Sequence, residues 1–292
     1  MNIICIYQIV MWSVSIMNIG KKNCIITGCS AGIGKATAIE MAKLNYSIIM
    51  LVRDSEKSRK ALEDIKLQSK SDDIVIFYVD LSSQESIRKV VKEIKGEYSQ
   101  IDVLINNAGV FKRKHEITDE GFEMTLAVNY FATFLLTNLL IDLIANSDDG
   151  RIINLTSELY KKGKIELNKS LDTKFNGNNS YAESKKLVVY FTQSLSSKIR
   201  SVTANCLHPG MIATDFIREY PRILGKSINF FLPKPKSGAK PVVHLATSLE
   251  LKGVTGKYFY KNKEKEVKEE NNHEKLLEEI WNYSIRITNL EE

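Results

Sequence analysis

The chain has 292 residues, of which 43% are hydrophobic and 26% charged. That composition supports a sizeable core and excludes a disordered chain. The formal net charge is only +6, with basic residues scattered along the sequence, so no nucleic-acid partner is expected.

Residues 3–19 carry no charge and are followed by Lys21 and Lys22. Their length is the low end of a membrane-spanning helix, and they lack the basic start and small-residue cleavage site of a secretory signal. Three readings stay open: a membrane anchor, a segment lying against the domain, and an extension upstream of a start at Met17. The first core strand begins near Asn23 and leaves almost no linker to clear a bilayer. A cytoplasmic protein is therefore expected, with a membrane-anchored form facing the cytosol as the alternative. Short β-rich runs follow at Cys24–Thr27, Ser47–Val52, Ile74–Val79, Val103–Ile105, Arg151–Leu155, Val202–Leu207 and Lys257–Tyr260. Amphipathic stretches fill the gaps, including Gly34–Leu44, Gln84–Tyr98, Asp119–Ile144 and Ser180–Ile199. Alternation of this kind predicts an α/β fold: a doubly wound parallel sheet of Rossmann type, helices on both faces, one domain over residues 21–292. The run Lys261–Glu270 is expected to be a solvated surface segment. Cys5, Cys24, Cys29 and Cys206 form no CxxC pair and read as reduced thiols.

The first strand leads directly into Thr27-Gly28-Cys29-Ser30-Ala31-Gly32-Ile33-Gly34, which opens a helix. Glycines at such a turn let backbone N–H groups approach a pyrophosphate at the positive helix end. Gly28, Ser30, Gly32, Ile33 and Gly34 are thus the candidate phosphate loop. A glycine-rich turn could also be a plain strand-to-helix connection, but this one follows the first strand of a βαβ unit. Together with Asp80-Leu81 after the third strand and Asn106-Asn107-Ala108-Gly109 after the fourth, this segment resembles the short-chain dehydrogenase/reductase family from about Gly20 onward. The resemblance implies cofactor contacts at Asp80, Leu81, Asn107 and Gly109. The second strand ends Leu51-Val52-Arg53-Asp54. Val52 stands where NAD-dependent members carry a ribose-binding carboxylate, and the Arg53 guanidinium suits a 2′-phosphate, so NADP(H) is the expected cofactor. A surface ion pair at Arg53, or Asp54 as the NAD carboxylate, are the competing readings.

Tyr181-Ala182-Glu183-Ser184-Lys185 puts a phenol and an ammonium one helical turn apart. A phenol has an ordinary pKa near 10, and a neighbouring cation, with an oxidised nicotinamide, is expected to bring it towards the working range. The resemblance implies that Tyr181 is the acid–base group and that Lys185 also binds the nicotinamide ribose. It further implies Ser157, rather than Thr156, as the serine that orients the carbonyl, and Asn129 as the asparagine holding a proton-relay water. Pro209, Gly210 and Thr214 match the stretch flanking the nicotinamide. His115, His208, His244 and His273 show no ligand spacing, so no metal is expected, and no GxSxG serine elbow is present.

The long gap between Ser157 and Tyr181, Gly163-Lys164-Ile165, Phe134–Leu140, Gly256–Phe259 and Trp281-Asn282-Tyr283-Ser284 resemble the retinol-dehydrogenase-like branch. This implies an oxidoreductase acting on a lipophilic small-molecule carbonyl or alcohol, either a carbonyl reductase or an alcohol/retinol dehydrogenase. The apolar residues of 216–232 read as a pocket lid, as ordinary core or as a bilayer contact. A cofactor-binding scaffold or sensor of the same fold is the other function class; the presence of all four of Asn129, Ser157, Tyr181 and Lys185 favours the enzyme. Membrane association through residues 3–19 and homo-oligomerisation stay open.

Overall fold

The computed structural model describes residues 20–167, 175–210 and 234–290. Their elements, in chain order, are β1 (Asn23–Thr27), α1 (Gly32–Lys43), β2 (Ser47–Val52), α2 (Glu56–Ser69), β3 (Ile74–Tyr78), α3 (Gln84–Glu97) and β4 (Val103–Asn106). Next come α4 (Met124–Ala145), with a π-helical segment at Ala127–Phe131, then β5 (Arg151–Leu155) and a 3-10 turn at Glu158–Lys162. The remainder is α5 (Gly177–Lys198), β6 (Thr203–His208), α6 (Pro235–Thr247), β7 (Tyr258–Tyr260), β8 (Lys263–Lys265) and α7 (His273–Ile287).

The strands form one sheet in the order β3-β2-β1-β4-β5-β6-β7-β8, parallel throughout except for the last pair. Apolar side chains alternate across it with a period of two residues. Ile25, Ile49, Leu51, Leu104 and Ile152 face one side, with α3, α4, α5 and α7. Cys24, Ile26, Ile48, Met50, Val103 and Ile153 face the other, with α1, α2 and α6. Both faces are covered, which is why β2 is buried at every position. The chain reverses its winding between β1 and β4, and the carboxyl ends of these two strands border that crevice.

Two elements depart from the sequence expectation. The helix expected to start at Asp119 starts at Met124, because Gly121, at φ 85°, closes a tight turn whose N–H donates to the Thr118 carbonyl at 2.9 Å. The charged run after Lys261 is solvated as expected, yet it also contributes β8, paired antiparallel to β7 with all three residues exposed. Its lysines protect a sheet edge that would otherwise pair with another chain.

Candidate active site

Gly28, at φ 66°, lies so close to Ala108 that a Cβ would meet its Cα at 2.9 Å. At Gly34 a Cβ would meet the Asn107 amide at 2.4 Å and the Gly28 carbonyl at 2.7 Å. Asn107 braces the loop by donating to the carbonyls of Thr27 (2.8 Å) and Gly28 (3.2 Å). The Thr27 hydroxyl accepts in return from the backbone N–H of Asn107 and Ala108, both at 3.0 Å. Ser30, Gly32 and Ile33 line the same turn, half-buried. The helices α2, α3 and α5 begin with side-chain caps from Ser55, Ser83 and Asn176. α1 begins at Ala31 with no side-chain cap and no acidic residue in its first turn. Its first N–H groups therefore point at the crevice as a ready anion site.

Arg53 follows β2 and is exposed. Asp54 accepts from Arg59 at 2.5 Å in an exposed ion pair. Asp80 is exposed, and its Oδ1 accepts from the N–H and the hydroxyl of Ser82. Leu81 packs against the core on the α3 side. The turn fits the pyrophosphate of a dinucleotide: a backbone cradle with no room for side chains at Gly28 and Gly34.

On the other side of the crevice, α5 presents Tyr181 and Lys185. Lys185 is 5% exposed, and its Nζ donates to the Leu155 carbonyl at 3.0 Å. A Cβ at Gly109 would lie 3.4 Å from that Nζ and 3.3 Å from Asn129 Oδ1, so the glycine keeps the space between them open. Ser157 hydrogen-bonds the Tyr181 phenol. Thr156 instead donates to the Lys185 carbonyl at 2.8 Å, so the two adjacent hydroxyls have different partners. Asn129 sits in the π-helical segment of α4, a feature frequent at functional sites. Its side chain makes three hydrogen bonds: Oδ1 accepts from Val110 N–H at 2.7 Å, and Nδ2 donates to the Val110 carbonyl at 2.9 Å and to Ser184 Oγ at 3.0 Å. It therefore clamps the loop after β4 to α5. Pro209 is buried and Gly210 has φ 97° at the end of β6; Thr214 and the segment 216–232 lie outside the described residues.

Without a cofactor, burial dominates the electrostatics of the Tyr181–Lys185 pair. Burial pushes the Tyr181 phenol up to about 12 against the Ser157 hydrogen bond, and burial brings the Lys185 ammonium down to about 8. Lys185 Nζ lies 5.8 Å from the Tyr181 ring centre. In the protein alone desolvation outweighs mutual attraction, and each group is driven towards its neutral form. A phenol that keeps its proton at neutral pH is suited to donate it.

Two participants, Ser184 and Phe111, were not singled out from sequence. Ser184, inside the YxxxK segment, receives Asn129 and donates to the Tyr181 carbonyl at 2.7 Å. Phe111 packs edge-on against Tyr181, with ring centres 5.8 Å apart. Phe111 also lines, with Arg113, Phe175, Asn176, Gly177 and Asn178, a cavity of about 510 Å³. The i+3 position of Ser184 on the tyrosine helix was the one available signal. Among the described residues no cluster of His, Cys, Asp or Glu could hold a metal.

The family model for short chain dehydrogenases matches residues 22–222. The chain belongs to this family. It is 37% identical over 282 residues to human retinol dehydrogenase 13, covering 92% of this chain and 85% of the relative. It is 33% identical over 285 residues to human retinol dehydrogenase 14, covering 90% and 85%. Among solved structures, an uncharacterised protein from Mycobacterium Paratuberculosis superposes with a TM-score of 0.71 at 23% identity, covering 92% of this chain and 93% of that one. A Shigella flexneri short chain dehydrogenase complexed with NADP gives 0.68 at 23%, covering 83% and 97%. This short chain dehydrogenase is thus an oxidoreductase of the retinol-dehydrogenase-like kind.

Proposed function

We propose that the protein transfers a hydride between NADP(H) and a lipophilic carbonyl or alcohol, of retinoid-like or other apolar aldehyde or ketone character. The observation that carries the reading is the meeting of Tyr181, Ser157 and Lys185 at the carboxyl ends of β5 and β4, across the crevice from an uncapped, side-chain-free phosphate loop. Gly28 to Gly34 would hold the pyrophosphate, Arg53 the 2′-phosphate, and Asp80 with Leu81 the adenine. Asn107, Gly109, Pro209 and Gly210 would border the nicotinamide side. The retinol dehydrogenase relatives support the substrate class. The NADP complex of the Shigella flexneri neighbour and the NADPH-dependent reductase YwfH, another structural neighbour, support the cofactor.

When bound, the nicotinamide supplies or accepts the hydride at the carbonyl carbon. Tyr181 gives its proton to the carbonyl oxygen as the C–H bond forms, leaving an alcohol and a tyrosinate. Ser157 hydrogen-bonds the same oxygen and, by its bond to the phenol, aligns donor and acceptor. Lys185 steadies the tyrosinate and would bind the nicotinamide ribose. Asn129, fixed by three hydrogen bonds, holds the path by which Tyr181 is reprotonated. Alcohol oxidation follows the same steps reversed.

We also treat residues 21–292 as one catalytic domain placed in the cytosol. The one described helix long and apolar enough to cross a membrane, Met124–Ala145, is 67% buried over its most apolar window, which fits a core helix. Anchoring through residues 3–19 concerns residues outside those described. The test is a panel of apolar and polar carbonyls and alcohols, assayed with NADPH and NADH by nicotinamide absorbance. Turnover of apolar members with NADPH is expected; preference for NADH, or for polar substrates alone, would overturn the corresponding half of the reading.

A further inference from the structure

Tyr181 stands in the second turn of α5, close to a helix end, where backbone order is weakest. Its neighbour Ser180 is 5% exposed, and its hydroxyl donates to Glu123 Oε2 at 2.5 Å. The same Oε2 accepts from Leu126 N–H at 2.9 Å, and Oε1 accepts from Thr125 N–H at 2.9 Å. One carboxylate therefore caps α4 and grips α5 at once. One turn further along α5, Ser184 receives Asn129 at 3.0 Å. Residues 180 and 184 share a face of α5, and Tyr181 and Lys185 share the adjoining one. Two cross-links from α4 thus bracket the tyrosine.

A simple helix-capping role does not account for the Ser180 bond. Asn176 already caps α5 through the N–H groups of Asn178 and Asn179, and its carbonyl takes the Ser180 N–H at 2.9 Å. The Ser180 hydroxyl is left to act between helices, in a charge-assisted bond of the strong kind. We infer that the Glu123–Ser180 hydrogen bond is a positioning element for the reaction: it fixes the bearing of the Tyr181 hydroxyl relative to Ser157 and to the Asn129 segment. The inference rests on Tyr181 being the proton donor.

The test uses the full chain with NADPH and its best carbonyl substrate. Ser180→Ala removes the hydroxyl, whereas Glu123→Asp keeps a good cap but is too short to reach Ser180. Each should lower kcat about 10-fold, short of the roughly 100-fold that a 1 Å misplacement can cost. KM for NADPH and for the carbonyl should stay within about 2-fold, because Ser180 is buried and the Glu123 carboxylate is held by Thr125, Leu126 and Ser180. The double variant should be no slower than the worse single, since both break one bond. Ser180→Thr should recover turnover to within about 3-fold of wild type. Wild-type kcat in Ser180→Ala, additive losses in the double variant, or NADPH affinity falling in step with kcat would each overturn the inference. Tyr181→Phe is measured alongside; if it retains turnover, the assignment of the donor itself fails, independently of Ser180.

Discussion

The crevice has two walls built by different means. On the nucleotide wall, between β1 and α1, contacts are made by backbone, and selectivity of shape comes from the absence of side chains at Gly28 and Gly34. On the substrate wall, between β5, α4 and α5, geometry is set by side chains that reach across elements: Asn129 to Ser184, Thr156 to the Lys185 carbonyl, Lys185 to the Leu155 carbonyl. A backbone site tolerates little change and recognises what many ligands share. A side-chain site can be retuned residue by residue. Binding of cofactor and chemistry on substrate should therefore be separable by mutation, and the following measurements press on that separation.

The largest effect is expected for Tyr181→Phe. General acid catalysis is worth about 10²–10⁴-fold, so kcat should fall by about 100- to 10,000-fold while NADPH binding, followed by fluorescence, stays unchanged. A parallel loss of NADPH affinity would mean the walls are not separable. Gly34→Ala attacks the opposite wall. Its Cβ collides with the Asn107 amide and the Gly28 carbonyl, a strain of about 1–3 kcal/mol for overpacking. NADPH and NADH should both bind about 10- to 100-fold more weakly, with Tyr181 still in place. Arg53→Ala is narrower: NADPH should weaken by about 1.5–3 kcal/mol, the scale for a hydrogen bond to a charged group, and NADH should not change. Equal losses for both cofactors would show that Arg53 does not read the phosphate.

The smallest effect is a pH dependence. The folded pKa of Lys185 is lowered to about 8 by burial, so its charge is present below that pH and lost as pH rises through it. The kcat/KM for reduction should bend downward near pH 8, by at most about 10-fold, and the bend should vanish in Lys185→Met. The stability sign is opposite: burying the charge costs folding energy below pH 8, and the cofactor-free protein gains stability from about pH 8 towards 10.5. A thermal melt series across that window measures it. Tyr181, held at about 12, should contribute no break in the neutral range.

The nucleotide wall was legible because its signal is local. The phosphate loop lies within eight residues, and the strands Ser47–Val52 and Arg151–Leu155 appear in the fold with the bounds their apolar runs imply. The YxxxK pair was legible for the same reason. The cross-links were not: Glu123 and Ser180 are 57 positions apart, and nothing in either neighbourhood signals the other. The lowered pKa of Lys185 depends on how completely β5 and α5 close over it, a tertiary property. The start of α4 was misplaced because apolar periodicity runs through Phe122, whereas one glycine at positive φ decides where the helix begins. β8 was missed because a run of alternating charges carries no apolar face, and only pairing with Tyr258–Tyr260 makes it a strand.

The last helix has a consequence for how the molecule comes into being. Trp281 on α7 packs against Phe134 and Phe191, with ring centres 5.2 and 6.1 Å away, and Tyr130 bonds Ser284 at 2.5 Å. Beyond it, Arg88 holds the carbonyls of Thr288 and Asn289, across about 200 residues of sequence. Until α7 docks, the apolar side chains of α4 and α5 that meet Trp281 stay uncovered. Such long-range closure is slow and leaves greasy surface open meanwhile. Docking of α7 onto α4 and α5 is therefore expected as a late step of folding, after the sheet and its nearer helices have formed.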